Sequence, residues 1–315
     1  MSAHPAAFNA RDVILVTGAD LAPQAVDLLS DFELVYAGKE CGEDLLASLC
    51  SQYQPVAILV RYGRISARVI AASKRLRVIA KHGTGIDNID SAAAKAQGIA
   101  VRAAAGANAA AVAEHTWALI LACAKGVVHL DQRMRAGHWD KAVHKSLELK
   151  GRTLGLVGLG AIGRRVAVTG AALGMRVLAY DPYATAIPEQ VERRELADVI
   201  AMADVLSLHC PLTEDNTGMI NARTLATMRD GAIVVNTARG GLIDEAALTQ
   251  ALQSGKLRAA GLDSFQVEPF IGGHEFTSLH NTILTPHVAG VTADAYVGMG
   301  TSAARNILDE IACVA

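Results

Sequence analysis

The sequence predicts an α/β protein made of two doubly wound parallel-sheet domains. Three observations carry this. The chain has 315 residues, about twice the size of a common domain. Short β-rich runs alternate with helical stretches almost from end to end, the order that parallel strands with helical crossovers require. The composition is 51% apolar with 4% aromatic residues and a mean hydropathy of +0.28, so a large core can form from aliphatic side chains and alanine.

Taken in order, the first third reads as strands "VILVTG", "FELVYAG", "VAILVRYG", "VIAKHGTG" and "IAVRAA", separated by "PQAVDLLS", "GEDLLASLCSQ", "SARVIAASKRL" and "SAAAKAQG". The units are short and several strands end in glycine. An alanine-rich stretch from Asn108 to about Gly137 has no proline and is expected to be one connecting helix. A second set of strands starts at Thr153: "TLGLVGLG", "MRVLAYD", "ADVLSLHCP", "GAIVVNTARG", "LRAAGLDSF" and "NTILTPH". Residues 292–312 read as a last helix. No low-complexity tract separates the two sets, and they are not close repeats of each other.

Bulk properties exclude several classes. A net charge of −2 argues against nucleic acid as a partner. The five cysteines have neither CxxC spacing nor a Cys/His cluster, which suits free buried thiols in a reducing compartment and predicts no metal site. The N-terminal residues lack a basic stretch followed by an apolar run, so no signal peptide is expected. The most membrane-like window, 111–128, carries Glu114, His115 and Lys125 and reads as a buried helix. A cytoplasmic protein without a membrane partner is the expectation.

The run "TLGLVGLGAIG" contains Gly158-x-Gly160-x-x-Gly163 between an apolar strand and an amphipathic helix with Ile162, Val166 and Leu173 at helical spacing. In that context each glycine has a task in dinucleotide binding: the tight turn, the approach of backbone to a pyrophosphate, and close helix–strand packing. The next strand ends in Asp181, placed to accept hydrogen bonds from an adenosine ribose and to repel a 2′-phosphate. NAD is therefore the expected cofactor, although Arg164 and Arg165 leave an opening for NADP.

Ligands of open α/β sheets bind beyond the carboxyl ends of the strands. Three successive strands of the second set end in Thr237-Ala238-Arg239-Gly240-Gly241, in Glu268-Pro269 and in Pro286-His287. Their side chains fit hydride transfer coupled to proton transfer. A histidine can give and take a proton near neutral pH. A carboxylate behind it orients the ring and favours the imidazolium. An arginine offers forked donors to a carboxylate and polarises a carbonyl.

With "GLGAIG", "YDP", "HCPLTEDNTGMIN", "NTARGGLIDEAAL", "GLDSF", "EP" and "TPHVAG" in this order, the sequence resembles the D-isomer-specific 2-hydroxyacid dehydrogenases from about residue 54 to 290. That family includes phosphoglycerate dehydrogenases, hydroxypyruvate reductases and D-lactate dehydrogenases. The resemblance implies a Rossmann NAD-binding domain, 104–290, inserted into a flavodoxin-like substrate domain, 1–103 plus 291–315. It implies that Arg239 binds the substrate, Glu268 supports the histidine and His287 is the acid/base. It further implies cofactor contacts from Gly158, Gly160, Ala161, Ile162, Gly163, Asp181, Cys210, Pro211, Thr237, Ala238, Arg239, Asp263 and His287, and a homodimer formed through the nucleotide domain.

On the substrate side, the family's glycine-rich segment matches Gly83-Thr84-Gly85, whose backbone N–H groups would take the substrate carboxylate. Arg61, Arg64, Lys81 and His82 make the neighbouring strand ends basic, which suggests a doubly anionic 2-hydroxy acid and a 3-phosphoglycerate dehydrogenase-like activity. Hydroxypyruvate or glyoxylate reductase and a sulfolactate-type dehydrogenase are the alternatives, and a non-catalytic NAD(H)-sensing protein is the rival of another class. Three departures bear on this choice. Tyr62 stands where phosphoglycerate dehydrogenases have a small residue. "AAAGANAAAVAEH" replaces the usual "NTPGxNSxSVAEH". No residues match the C-terminal regulatory domain that many phosphoglycerate dehydrogenases carry. Cys210 could be read as a nucleophile, but Pro211 directly after it favours a residue lining the cofactor. Formate dehydrogenases resemble a Gln–His pair, which Glu268 replaces here.

Overall fold

In the computed structural model, which describes residues 11–270 and 273–313, the chain forms two units. One runs to Asn108 and resumes at Thr292, and the other is Ala109–Val291. The first unit contains β1 (Val13–Thr17), α1 (Pro23–Leu28), β2 (Glu33–Tyr36), α2 (Glu43–Tyr53), β3 (Ala57–Val60), α3 (Ala67–Ala72), β4 (Val78–Lys81), α4 (Ser91–Ala96) and β5 (Ala100–Ala103). Its strands make one parallel sheet in the order β2-β1-β3-β4-β5. Alternate residues serve opposite faces, so a strand covered on both sides reads as an unbroken apolar run. Ile14 and Val16 meet Leu29, Ala303 and Ile307, whereas Leu15 and Ile58 meet Leu46, Val69 and Ile70. Short helices are fixed by their caps: Ser66 accepts from Val69 N, and Asp90 from Ala93 N.

The second unit holds α5 (Ala109–Lys125), α6 (Val127–Arg135), β6 (Thr153–Val157), α7 (Ala161–Ala172), β7 (Arg176–Tyr180), β8 (Val191–Arg193), α8 (Leu196–Met202), β9 (Val205–Leu208), α9 (Ala222–Thr227), β10 (Ala232–Asn236), α10 (Glu245–Gln253), β11 (Leu257–Leu262) and β12 (Thr282–Leu284). The last helix, α11 (Ala293–Ala312), belongs to the first unit. The second sheet is parallel throughout, in the order β12-β11-β10-β9-β6-β7-β8. The strand order reverses between β6 and β9, which opens the crevice where doubly wound sheets bind ligands.

Three sequence expectations change. The connecting helix is two helices, α5 and α6, because Gly126 adopts φ 67° and the axis bends by 62° there. Among the described residues no single helix is long and apolar enough to cross a membrane. The edge strand β8 was not anticipated; it is three residues long, and Glu192 and Arg193 are exposed. Leu173 lies at the end of α7 and is 40% exposed, so the buried face of that helix is carried by Gly163, Val166, Ala167 and Gly170.

Candidate functional site

The crevice of the second unit begins with the glycine turn after β6. Gly158 has φ 99°, and a Cβ there would lie 2.6 Å from the backbone of His209, so no other residue fits. A Cβ on Gly163 would lie 2.2 Å from the Gly158 carbonyl, which lets α7 start directly against the turn. Gly160 is the opposite case. It caps α7 without a side-chain hydrogen bond, and a Cβ there would meet nothing within 4 Å. The first N–H groups of a twelve-residue helix thus border open space, as a pyrophosphate requires. Ala161 is exposed and Ile162 half-buried beside them. These residues fit a dinucleotide.

Asp181 follows β7 and does more than the sequence suggested. Its Oδ2 accepts from Leu159 N at 2.7 Å, and its Oδ1 accepts from Tyr183 N at 2.8 Å and Ala184 N at 3.1 Å. The carboxylate therefore ties the glycine turn to the end of β7. With about four acceptor positions on a carboxylate, one remains for a ribose hydroxyl. Arg193 on β8 donates to the Asp181 carbonyl at 3.3 Å, which puts a guanidinium next to this position.

Across the crevice, Cys210 and Pro211 follow β9. Burial pushes the Cys210 thiol up to about 11, so it is not a thiolate nucleophile at neutral pH. Its neighbour His209 is held down to about 4 by burial and bonds Ser207 Oγ at 2.9 Å. After β10, Thr237 is buried and its hydroxyl meets that of Thr116 at 2.9 Å.

The three strand-end residues rest on a framework of less obvious ones. Asn236 shapes the Arg239 turn, accepting from Ala238 N at 3.0 Å and donating to the Arg239 carbonyl at 2.8 Å. Gly240 lies flat against the loop after β11, where a Cβ would sit 1.9 Å from the Phe265 carbonyl carbon. In that loop Phe265 N donates to Glu268 Oε1 at 2.9 Å, and Glu268 Oε2 faces His287 Nδ1 at 2.7 Å. A carboxylate that accepts here leaves the hydrogen on Nδ1, and Nε2 lies away from Glu268. His287 is about half exposed and has φ 54°, a left-handed conformation uncommon outside glycine.

Asp263 holds that conformation. It is 1% exposed; Oδ1 accepts from the Thr285 hydroxyl at 2.6 Å and Val288 N at 2.9 Å, and Oδ2 from Ala289 N at 2.8 Å. Because Thr285 donates to Asp263, its oxygen accepts from His115 Nε2 at 3.0 Å. Asp263, expected to touch the dinucleotide, thus also fixes the loop that carries His287.

The first unit gathers its own polar group. Thr17, at the end of β1, accepts from Arg61 N at 2.9 Å and donates to the Tyr62 carbonyl at 2.6 Å. Arg61 is not left open, because its guanidinium forms an ion pair with Asp20. Lys81 Nζ donates to the Arg61 carbonyl at 3.4 Å. Burial, with Arg61 nearby, holds His82 down to about 4. Gly83 is buried with φ 143°, and Thr84 donates to Asn108 at 3.0 Å. Gly85 is half-buried in the same turn. Sequence reasoning did not find Asp20, Thr17 or Tyr296 here, nor Asn236, Thr285 and the role of His115 in the second unit. Asn236 had a local signal, as an Asn ending a buried strand before Thr-Ala-Arg-Gly-Gly; the others had none.

Residues 117–289 match the family model for the D-isomer specific 2-hydroxyacid dehydrogenase, NAD binding domain. The chain is 40% identical over 286 residues to a hydroxypyruvate reductase of Thermotoga maritima, covering 90% of this chain and 93% of that protein. It is also 40% identical to a D-3-phosphoglycerate dehydrogenase of Mycobacterium leprae, covering 84% of this chain but 51% of that protein, so the chain spans about half the length of that relative. Among solved structures, a glyoxylate reductase from Paecilomyes thermophila superposes with a TM-score of 0.87 at 30% identity, covering 96% of this chain and 95% of the other.

Proposed function

The chain belongs to the D-isomer-specific 2-hydroxyacid dehydrogenases, oxidoreductases of the CH–OH group with a nicotinamide dinucleotide cofactor, and we propose that it reduces a small 2-keto acid with His287 as the acid. The observation that carries this is the 2.7 Å bond from His287 Nδ1 to Glu268, which leaves Nε2 to serve the substrate oxygen. When bound, the nicotinamide supplies or accepts the hydride. Nε2 of His287 gives its proton to the carbonyl oxygen in reduction and takes it back in oxidation. Glu268 keeps the ring oriented through its bond to Nδ1. Arg239 polarises the carbonyl and binds the carboxylate.

The substrate reading follows from charge. The strand ends that suggested a second anionic group are less positive than their sequence: Asp20 compensates Arg61, and His82 is neutral at pH 7. This favours a singly charged acid such as hydroxypyruvate or glyoxylate over 3-phosphohydroxypyruvate or a sulfonate. The relative covered over 93% of its length is named for the first of these.

Asp181 favours NAD over NADP. With a panel of 2-keto acids, NADH is expected to be oxidised faster than NADPH, with hydroxypyruvate among the best substrates. Asp181→Ala is expected to shift the NADH/NADPH ratio of kcat/KM by about 10-fold or more toward NADPH, the size of one charged hydrogen bond, with Arg193 left beside the 2′ position. An unchanged ratio would remove Asp181 from cofactor selection. A homodimer is part of the reading, supported by the apolar side chains that the second unit leaves exposed, Val127, Val128, Met134, Trp139 and Val143. A cytoplasmic location completes it.

A further inference from the structure

The loops after β1 and β3 flank the point where the strand order of the first sheet reverses, the place where such sheets bind ligands. Asp20 lies in one loop and Arg61 in the other. We propose that Asp20 selects the substrate. By occupying Arg61, it directs the enzyme to 2-keto acids whose C3 group is a neutral hydroxyl and against those bearing phosphate or sulfonate. The inference rests on the hydroxyacid dehydrogenase reading above.

Arg61 alone would be a natural anion receptor, since its forked donors suit a phosphate. Here it is held on every side. Its side chain is 11% exposed, with the ion pair to Asp20 at one end. Nη1 also donates to the Asp20 carbonyl at 2.5 Å. The guanidinium lies between two phenol rings, 5.3 Å from the Tyr62 centroid and 5.0 Å from that of Tyr296. Its stem crosses Gly18, where a Cβ would come within 2.9 Å of Arg61 Cδ. The backbone N–H groups of Arg61 and Tyr62 both donate to Thr17. Arg61 therefore has little freedom to swing toward a new partner.

Asp20 is fixed as well. The Tyr296 hydroxyl, from α11, donates to its Oδ1 at 2.7 Å. That hydrogen bond first, and Arg61 second, lower the Asp20 pKa below the usual carboxylate value, so it stays charged through the neutral range. The Asp20 side chain remains 58% exposed and can accept from a hydroxyl. A phosphate brought to the same position would meet a carboxylate in place of a free guanidinium. His82, with Nε2 buried and unpartnered and its ring 5.4 Å from Tyr296, adds no charge to offset this.

The test is Asp20→Asn, which keeps the size and removes the charge. Wild type is expected to prefer hydroxypyruvate to 3-phosphohydroxypyruvate. In Asp20→Asn the kcat/KM ratio should move toward the phosphorylated acid by about 10-fold or more, the worth of one partly screened charge. Adding Arg61→Ala should cancel the gain. Calorimetric titration with inorganic phosphate gives a second readout that needs no turnover: Asp20→Asn should bind it at least about 10-fold more tightly than wild type. A wild type that prefers the phosphorylated acid overturns the proposal, as does an unchanged ratio and phosphate affinity in Asp20→Asn. Failure of the wild type to reduce any 2-keto acid would strike the dehydrogenase reading instead, and the phosphate titration would still decide whether Asp20 controls Arg61.

Discussion

Replacing His287 with Asn is expected to lower kcat for 2-keto acid reduction by about 10²–10⁴-fold, the usual contribution of a positioned acid/base. Asparagine is the informative choice because His287 has φ 54°, and Asn is among the few residues that enter the left-handed region readily. The loop can therefore keep its path, held by Asp263 at Val288 N and Ala289 N. Thermal stability and NADH affinity should change little, since Asn removes the exchangeable proton and leaves the glycine turn and Asp181 in place. Alanine would add backbone strain to the loss of the ring and confuse the two. A variant with near-normal kcat would take the proton transfer away from this residue.

Asp263→Asn is expected to act differently. The wild-type carboxylate accepts three hydrogen bonds at 1% exposure. An amide in its place turns one acceptor into a donor and sets an N–H against the backbone N–H of Ala289 or against the Thr285–Val288 pair. A buried donor without a partner costs about 1–3 kcal/mol, and about 2–4 °C of Tm per kcal/mol for a domain of this size. The same change loosens the left-handed turn, so kcat should fall at least about 10-fold while KM for NADH moves little. If Asp263 acts on the dinucleotide, as its motif implied, the pattern reverses: KM for NADH rises and Tm holds. Calorimetry and steady-state kinetics on one preparation separate the two.

Much of the nucleotide-binding side was legible because its signals are local. A glycine turn between strand and helix, an acid at the next strand end, and polar residues directly after three strands can each be read within a dozen neighbours. The supports of those residues were not legible, because they come from elsewhere in the chain. His115 on α5 reaches Thr285, and Tyr296 on α11 reaches Asp20 near the start. No periodicity links such pairs. Charge was misleading for the same reason: Arg61 reads as a free cation until the loop after β1 supplies Asp20. The break at Gly126 was visible as a glycine, yet the alanine-rich flanks on both sides argued for continuity. The three-residue β8 exposes two charged side chains and has too little apolar pattern to announce a strand.

The central claim is that this chain transfers hydride to the C2 carbon of a 2-keto acid while His287 supplies the proton. The most direct test is a single-turnover reaction with NADH deuterated at the transferred position and hydroxypyruvate in excess, followed by product analysis. The account predicts a D-2-hydroxy acid carrying deuterium at C2, formed by wild type and slowed in His287→Asn by the factor given above. NADH that binds but yields no labelled hydroxy acid from any member of the 2-keto acid panel would contradict it and favour a protein that senses the cofactor without using it.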